Sequence, residues 1–284
     1  MAILDNSHKN PSLFVATKEL SAVAEFVRSS YGLTAEQCLY NTRKKIYPDG
    51  SSKVLCCSKP IFNPNELELS KKTSKKPKSK IECNREPQER ADSIKRSKDK
   101  VKDIALMNSF DGFITLTLSK DKINRYDKDE ILKRVGKWLD NMVNRHGVLY
   151  LLIPEEHKDG AIHFHGFISG DLKLIDSGLK TKRGQTIYNL KSWRLGFSTY
   201  IPLDDNYLKA VGYVSKYITK DTQKIFGNRY FAGGKGLKRE VPTEYFNTDY
   251  VDFDGKEYQP SEVGYKFKYK DIWEENNGEN DLFD

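Results

Sequence analysis

Apolar and polar residues alternate without a break over FITLTL, Phe113 to Leu118, placing Ile114, Leu116 and Leu118 on one face and Thr115 and Thr117 on the other. That period of two predicts a half-buried strand. The period then lengthens. Asp127 followed by Glu130 has the form of a helix N-terminal capping box, and Ile131, Val135, Trp138, Leu139 and Met142 keep one apolar stripe to about Arg145. Two further strands are expected in VLYLLIPEE and AIHFHGFISG, joined by a turn at HKDG, and a further helix over Asp205 to Asp221. Strand, helix, hairpin and helix in that order predict an α+β fold with a central antiparallel sheet packed by helices.

The flanks are less regular. Residues 1–66 read as a small N-terminal module of unassigned role, with a short apolar helix through Leu20, Val23, Ala24 and Val27 and a hairpin turned by Pro48-Asp49-Gly50. Residues 67–91 read as a basic linker, because KKTSKKPKSK lacks any apolar period. From Asp92 apolar positions return at Ile94, Val101, Ile104 and Ala105, predicting a basic amphipathic helix that opens a main domain at 92–239. Residues 240–284 form a C-terminal extension whose tail after Lys270 holds six Asp or Glu and no Lys or Arg.

Composition narrows the function. The 284 residues carry 48 Lys or Arg against 40 Asp or Glu, a net +8, with 12% aromatic residues, and that pairing suits nucleic acid. Most of the excess lies between Ser70 and Asp103, with 13 Lys or Arg against 6 Asp or Glu. The longest apolar stretch, Val148 to Pro154, is too short for a membrane span, and no leader pattern opens the chain, so a cytoplasmic protein is expected. Cys38, Cys56, Cys57 and Cys83 never form a C-x-x-C pair and read as reduced thiols.

Two constellations carry chemistry. His163 and His165 leave the same face of one strand, where two imidazoles can converge on a cation. A three-residue turn at Lys158-Asp159-Gly160 would set Glu155 opposite His163, whereas a two-residue turn would set Glu156 there; His157 stands one pleat closer to the turn. A histidine-triad hydrolase would need a third histidine where Phe167 stands, and a metal-dependent amidohydrolase would need histidines after His165, yet none follows. Two imidazoles and a carboxylate suit Mn²⁺ or Mg²⁺ acting on phosphate, although nitrogen ligands also admit zinc. The second constellation is YVSKYITK, in which Lys209, Tyr213, Lys216, Tyr217 and Lys220 share one helical sector opposite Leu208, Val211, Val214 and Ile218. Adjacent ammonium groups favour a phenolate and neutralise phosphate charge, so Tyr213 and Tyr217 are candidate nucleophiles, with Lys216 and Lys220 as companions.

The ordered set FITLTL, HFHGF and YVSKYITK resembles the three motifs of the HUH endonuclease superfamily, specifically the rolling-circle replication initiators of phages, plasmids and related mobile elements. The likeness spans roughly Asp103 to Arg239. It implies a divalent-metal site on His163, His165 and Glu155, attack on DNA by Tyr213 or Tyr217, a 5′-phosphotyrosyl link and a free 3′-OH primer. It implies a host bacterial cytoplasm, single-stranded or hairpin origin DNA as partner, and a host helicase and polymerase acting in trans. No nucleotide cofactor is expected, because no G-x-x-x-x-G-K-[ST] occurs; Gly233-Gly234-Lys235-Gly236 lacks both the spacing and the hydroxyl. Lys95, Arg96, Lys98, Lys100, Lys102, Arg229, Lys235, Lys238 and Arg239 are candidates for tracking phosphates, and Tyr230 and Phe231 for stacking unpaired bases. A conjugative relaxase or single-strand transposase would use the same residues. A non-catalytic DNA-binding repressor would need neither the ligands nor the tyrosines.

Overall fold

A computed structural model describes residues 39–62, 87–203, 207–218, 225–259 and 266–270, and the side chains of 87–92 are not described. The expected helix through Leu20, the linker run, Cys38, Cys83, Lys220 and the acidic tail lie outside the described residues. The chain divides into two compact units, one of residues 1–82 and 242–274 and one built on Cys83–Val241.

In the first unit, β1 (Leu39–Ile46) and β2 (Ser52–Phe62) form an antiparallel hairpin, with a shift in pairing between Tyr40 and Thr42. Pro48-Asp49-Gly50 turns it: Gly50 sits at φ 84°, its N–H donates to the Tyr47 carbonyl, and the Ser51 N–H donates to the Asp49 carboxylate. The C-terminal extension joins this sheet. Counted in chain order its strands are β10 (Thr243–Phe246), β11 (Lys256–Tyr258) and β12 (Phe267–Lys270), and the sheet runs β10-β1-β2-β12-β11. Cys56 and Cys57 are free thiols, both buried.

The second unit begins with α1 (Pro87–Asn108), which starts earlier than the apolar pattern predicts, with proline in its first turn where no N–H is needed. It then holds β3 (Gly112–Leu118), α2 (Lys128–His146), β4 (Leu149–Glu156), β5 (Ile162–Ser169), β6 (Leu174–Lys180), β7 (Thr186–Leu190), β8 (Gly196–Pro202), α3 (Tyr207–Lys216) and β9 (Phe231–Gly233). Its seven strands are ordered β6-β7-β8-β3-β5-β4-β9, all pairings antiparallel. The molecule is therefore α+β, with two antiparallel sheets and three helices among the described residues.

Each face of the larger sheet has its own cover. Ile114, Leu116, Leu118, Leu152, Phe164 and Ile168 pack against Ile131, Val135, Leu139 and Met142 of α2 in one core. The α2 ends are closed as the sequence predicts. Asp127 accepts from the N–H groups of Asp129 and Glu130, and Gly147 at φ 61° returns an N–H to the Met142 carbonyl. On the opposite face α1 packs along α3, and Val101, Ile104, Ala105, Val211 and Val214 are all buried. Phe110, Phe113 and Phe167 lie on that face with Tyr207, whose hydroxyl donates to the Ala105 carbonyl and accepts from the Phe110 N–H. Among the described residues no helix is long and apolar enough to cross a membrane.

Candidate functional site

The hairpin turn decides which residues can meet. Gly160 sits at φ 80° and donates to the His157 carbonyl, His157 donates to the Ala161 carbonyl, and the Ala161 N–H donates to the Asp159 carboxylate. This is the three-residue turn with a left-handed glycine, so Glu155 pairs with His163 and Glu156 with Ile162. On the other side of β5, Thr115 pairs with His165 and Thr117 with His163. The histidines and threonines thus share the face turned away from the α2 core.

Both imidazoles are held from β3. Nδ1 of His165 lies 3.1 Å from Thr115 Oγ1, and Nδ1 of His163 lies 3.2 Å from Thr117 Oγ1. A neutral imidazole that donates from Nδ1 keeps the lone pair on Nε2, the form a metal ligand needs. His165 Nε2 is 2.9 Å from Glu155 Oε2, yet the ring direction does not make this a hydrogen bond, and Nε2 is a buried nitrogen without a hydrogen-bond partner. Contact with His165 is the largest influence on Glu155 and holds its carboxyl below the usual range, His157 and His163 adding to the effect and burial opposing it. Burial, with His157 and His165 nearby, depresses His163 from 6.5 to about 4, so it is neutral at physiological pH.

Ligand atoms of Glu155, His157 and His165 all lie within 4.8 Å of one another. A first-row divalent ion about 2.1 Å from each ligand allows separations up to about 4.2 Å, so a small closure would bring the three onto one ion. The orphaned Nε2 of His165 and this donor set fit a divalent cation. Of the residues read from sequence, Glu155 and His165 are in the group; His157 takes the third place, while the His163 ring stacks on His157 with centroids 3.6 Å apart. The pleat argument that ranked His157 lower misses it, because residue 157 lies in the turn and no longer follows strand alternation.

The tyrosine helix comes to the same face. Tyr217, in the turn after α3, stacks on His165 with centroids 4.1 Å apart and planes 4° from parallel. Its hydroxyl donates to Tyr213 Oη at 2.8 Å, and the Tyr213 ring meets Phe113 edge-on. The expected free face of this helix is therefore half covered: both tyrosines turn toward the sheet and Lys216 remains exposed. Other tyrosines nearby are poor nucleophiles, since burial pushes the phenols of Tyr200 and Tyr207 upward.

The candidate phosphate-tracking residues separate. Lys95, Arg96, Lys235 and Lys238 are exposed, and Lys98 and Lys102 are half-buried. Lys100 donates to the Arg239 carbonyl and pairs with Glu240 at 3.0 Å, and Arg239 donates to the Ala232 carbonyl, so these two fasten the segment after β9 to α1. Arg229, Tyr230 and Arg239 line a cavity of about 420 Å³ beside Ser93 and Ser97 of α1, and the Phe231 ring packs with Phe164 and Phe226.

A search of curated proteins and of solved structures gave no significant match. Residues 111–222, from the residue before β3 to just past the tyrosines, match the family model described as replication-associated protein ORF2/gene 2 protein. By that match, the segment that carries the threonine, histidine and tyrosine motifs belongs to this replication-associated protein family.

Proposed function

We propose that this protein initiates rolling-circle replication by nicking and rejoining single-stranded origin DNA, as a metal-dependent endonuclease and strand transferase. The observation that carries the reading is the stacking of Tyr217 on His165, which sets two hydrogen-bonded phenols beside the Glu155–His157–His165 group. Glu155 and His165 would hold a divalent cation, with the third imidazole from the stacked pair His157 and His163. Bound there, Mn²⁺ or Mg²⁺ would polarise a scissile phosphate and offset the charge gathering on it.

Tyr213 or Tyr217 attacks phosphorus through its phenolic oxygen, having given up its proton, and a tyrosine–phosphorus bond replaces the bond to the 3′ oxygen. That oxygen leaves and takes up a proton, giving a 3′-OH primer and a 5′-phosphotyrosyl link. Exposed Lys216 supplies positive charge to the same helix turn. Energy is conserved in the covalent link, so no ATP is consumed; a host helicase and polymerase would supply unwinding and synthesis.

The test is incubation of the full chain with labelled single-stranded DNA, with and without Mn²⁺, followed by a denaturing gel. Adduct is expected only with the cation. Either single variant, Tyr213→Phe or Tyr217→Phe, should still form it, and the double variant should form none. Adduct in the double variant, or adduct unaffected by chelator, would overturn the mechanism.

A further inference from the structure

The pairing register places one row of residues straight across the open end of the site. Glu155 on β4 is opposite His163 on β5, His163 is opposite Thr117 on β3, and Thr117 is opposite Phe197 on β8. Directly opposed residues point to the same face, so Phe197 stands on the face of the histidines, two strand spacings or about 10 Å from His163. It is 74% exposed.

This exposure inverts the usual pattern. The next residue, Ser198, is buried at 6% on the α2 face, where its hydroxyl accepts from the Leu190 N–H at 2.9 Å. A one-residue slip of β8 would bury the phenylalanine and expose the serine, as the hydrophobic effect alone would favour. The Leu190 hydrogen bond and the run of pairs from Gly112–Pro202 to Leu118–Gly196 hold the costly phase instead. Farther along the same face of β8, Thr199 is half-buried and Ile201 is buried, so the bare ring occurs only where the face opens beside the histidines.

The surroundings favour a polyanion. The loops after β3 and before β8 are joined by the Ser119 N–H to the Leu195 carbonyl, and they carry exposed Lys120, Lys122, Lys191 and Arg194 against exposed Asp121. A flat apolar ring rimmed by positive charge matches an unpaired base on its phosphate backbone.

We propose that Phe197 is a stacking platform for one unpaired base of the strand lying across the site. This rests on the nicking reading above and deepens it, naming a residue that fixes where the strand runs. Phenylalanine has no hydrogen-bonding group, so the platform requires a base without selecting which base. One face of the ring takes the base, and the strand then passes over Thr117 toward His163 and the tyrosines.

The experiment measures binding of the full chain to a fluorescent single-stranded oligonucleotide containing the cleavage site, in chelator so that no cutting occurs. Phe197→Ala should weaken binding about ten-fold or more, whereas Phe197→Trp should keep it, since ring stacking contributes roughly 1–3 kcal/mol per base. Scanning one abasic position at a time should find a position that costs the wild type a similar factor and costs Phe197→Ala nothing further. Equal affinity of Phe197→Ala and wild type overturns the platform, as does an abasic penalty that survives in the variant. Light scattering that shows a wild-type dimer and a Phe197→Ala monomer would assign the ring to a second copy of the chain and also overturn it. Covalent adduct with Mn²⁺ is read separately: its absence from the wild type removes the nicking reading, while adduct together with unchanged Phe197→Ala affinity removes the platform alone.

Discussion

The two faces of the seven-stranded sheet arise from the same strands and follow opposite rules. Toward α2, Ile114, Leu116, Phe164 and Leu152 are buried to 2% or less and make one apolar core. One residue away along each strand, Thr115, His165 and Glu155 face a surface that is apolar only where α1 and α3 cover Phe113 and Phe167. On that second face hydrophobicity falls along the strands, from packed phenylalanines through Tyr217 on His165 to the open row ending at Phe197. The α2 face holds the sheet together while the other face holds a buried nitrogen without a partner and an exposed aromatic ring, both unfavourable to folding. Stability and chemistry are thus separated by strand alternation, and substitutions should separate them too.

The largest difference is expected for the cation group. His165→Ala or Glu155→Ala should reduce cleavage by several orders of magnitude while single-stranded DNA affinity stays within a few-fold, because affinity comes mainly from Lys and Arg contacts to phosphate. The paired set His157→Ala and His163→Ala decides which ring of the stack completes the site; whichever substitution weakens Mn²⁺ binding, followed by calorimetry, identifies the third ligand. Loss of folding by His165→Ala would contradict the division between faces.

On the α2 face the effect should be on stability. Leu116→Ala removes a fully buried side chain and should cost about 2–5 kcal/mol in urea unfolding. Gly166→Ala should cost at least as much, since a Cβ there would sit 1.9 Å from the Leu151 carbonyl oxygen on the paired strand. That contact explains the glycine in HFHGF: it lets β4 and β5 approach beside His165. Near wild-type unfolding midpoints for both would show that the core does not bear the load assigned to it.

A smaller effect tests the link between strands. Thr115→Val keeps the shape of the side chain and removes the oxygen that holds His165 Nδ1, and should weaken Mn²⁺ binding about ten- to a hundred-fold, with Thr115→Ser restoring most of it. The unfolding midpoint should change little. Equal cation affinity in Thr115→Val would mean that the histidine is oriented by packing against Tyr217 instead.

These features differ in how far the sequence reveals them. FITLTL, the α2 stripe with its Asp127 cap, and the Lys158-Asp159-Gly160 turn follow local rules, and the structure shows the strand, the helix and the Glu155–His163 register they predict. The strands β6, β7 and β8 give no such signal. On β6, Ile175 and Leu179 are exposed and the pairing shifts between Asp176 and Leu179, and on β8 the buried serine and bare phenylalanine reverse the expected alternation. The union of β10, β11 and β12 with β1 and β2 depends on contacts some 200 residues apart in a sheet of short, largely exposed strands, beyond the reach of any local pattern. At the site, alternation placed His163 and His165 on one face, but the turn that brings His157 to Glu155 escapes it. The helical sector found the tyrosine pair, but which surface that sector meets is a tertiary fact.

The smallest expected effect concerns protons. His163 is held neutral down to about 4 in the folded chain, whereas an unfolded histidine takes its proton near 6.5. Between those values the unfolded state binds more protons, so folding stability should fall as the pH drops from about 6.5 to about 4 and level off below. Glu155 acts in a lower window, because its carboxyl is held below the usual range when folded, and its contribution is present above the unfolded carboxylate pKa and lost on further acidification. Urea midpoints measured from pH 7 to pH 4.5 therefore isolate the histidine. His163→Gln should flatten that slope, while Leu116→Ala should lower every midpoint and leave the slope as it is. If the slope persists in His163→Gln, the proton-linked loss originates away from the site face, and the separation of chemistry from stability across the two faces does not extend to pH.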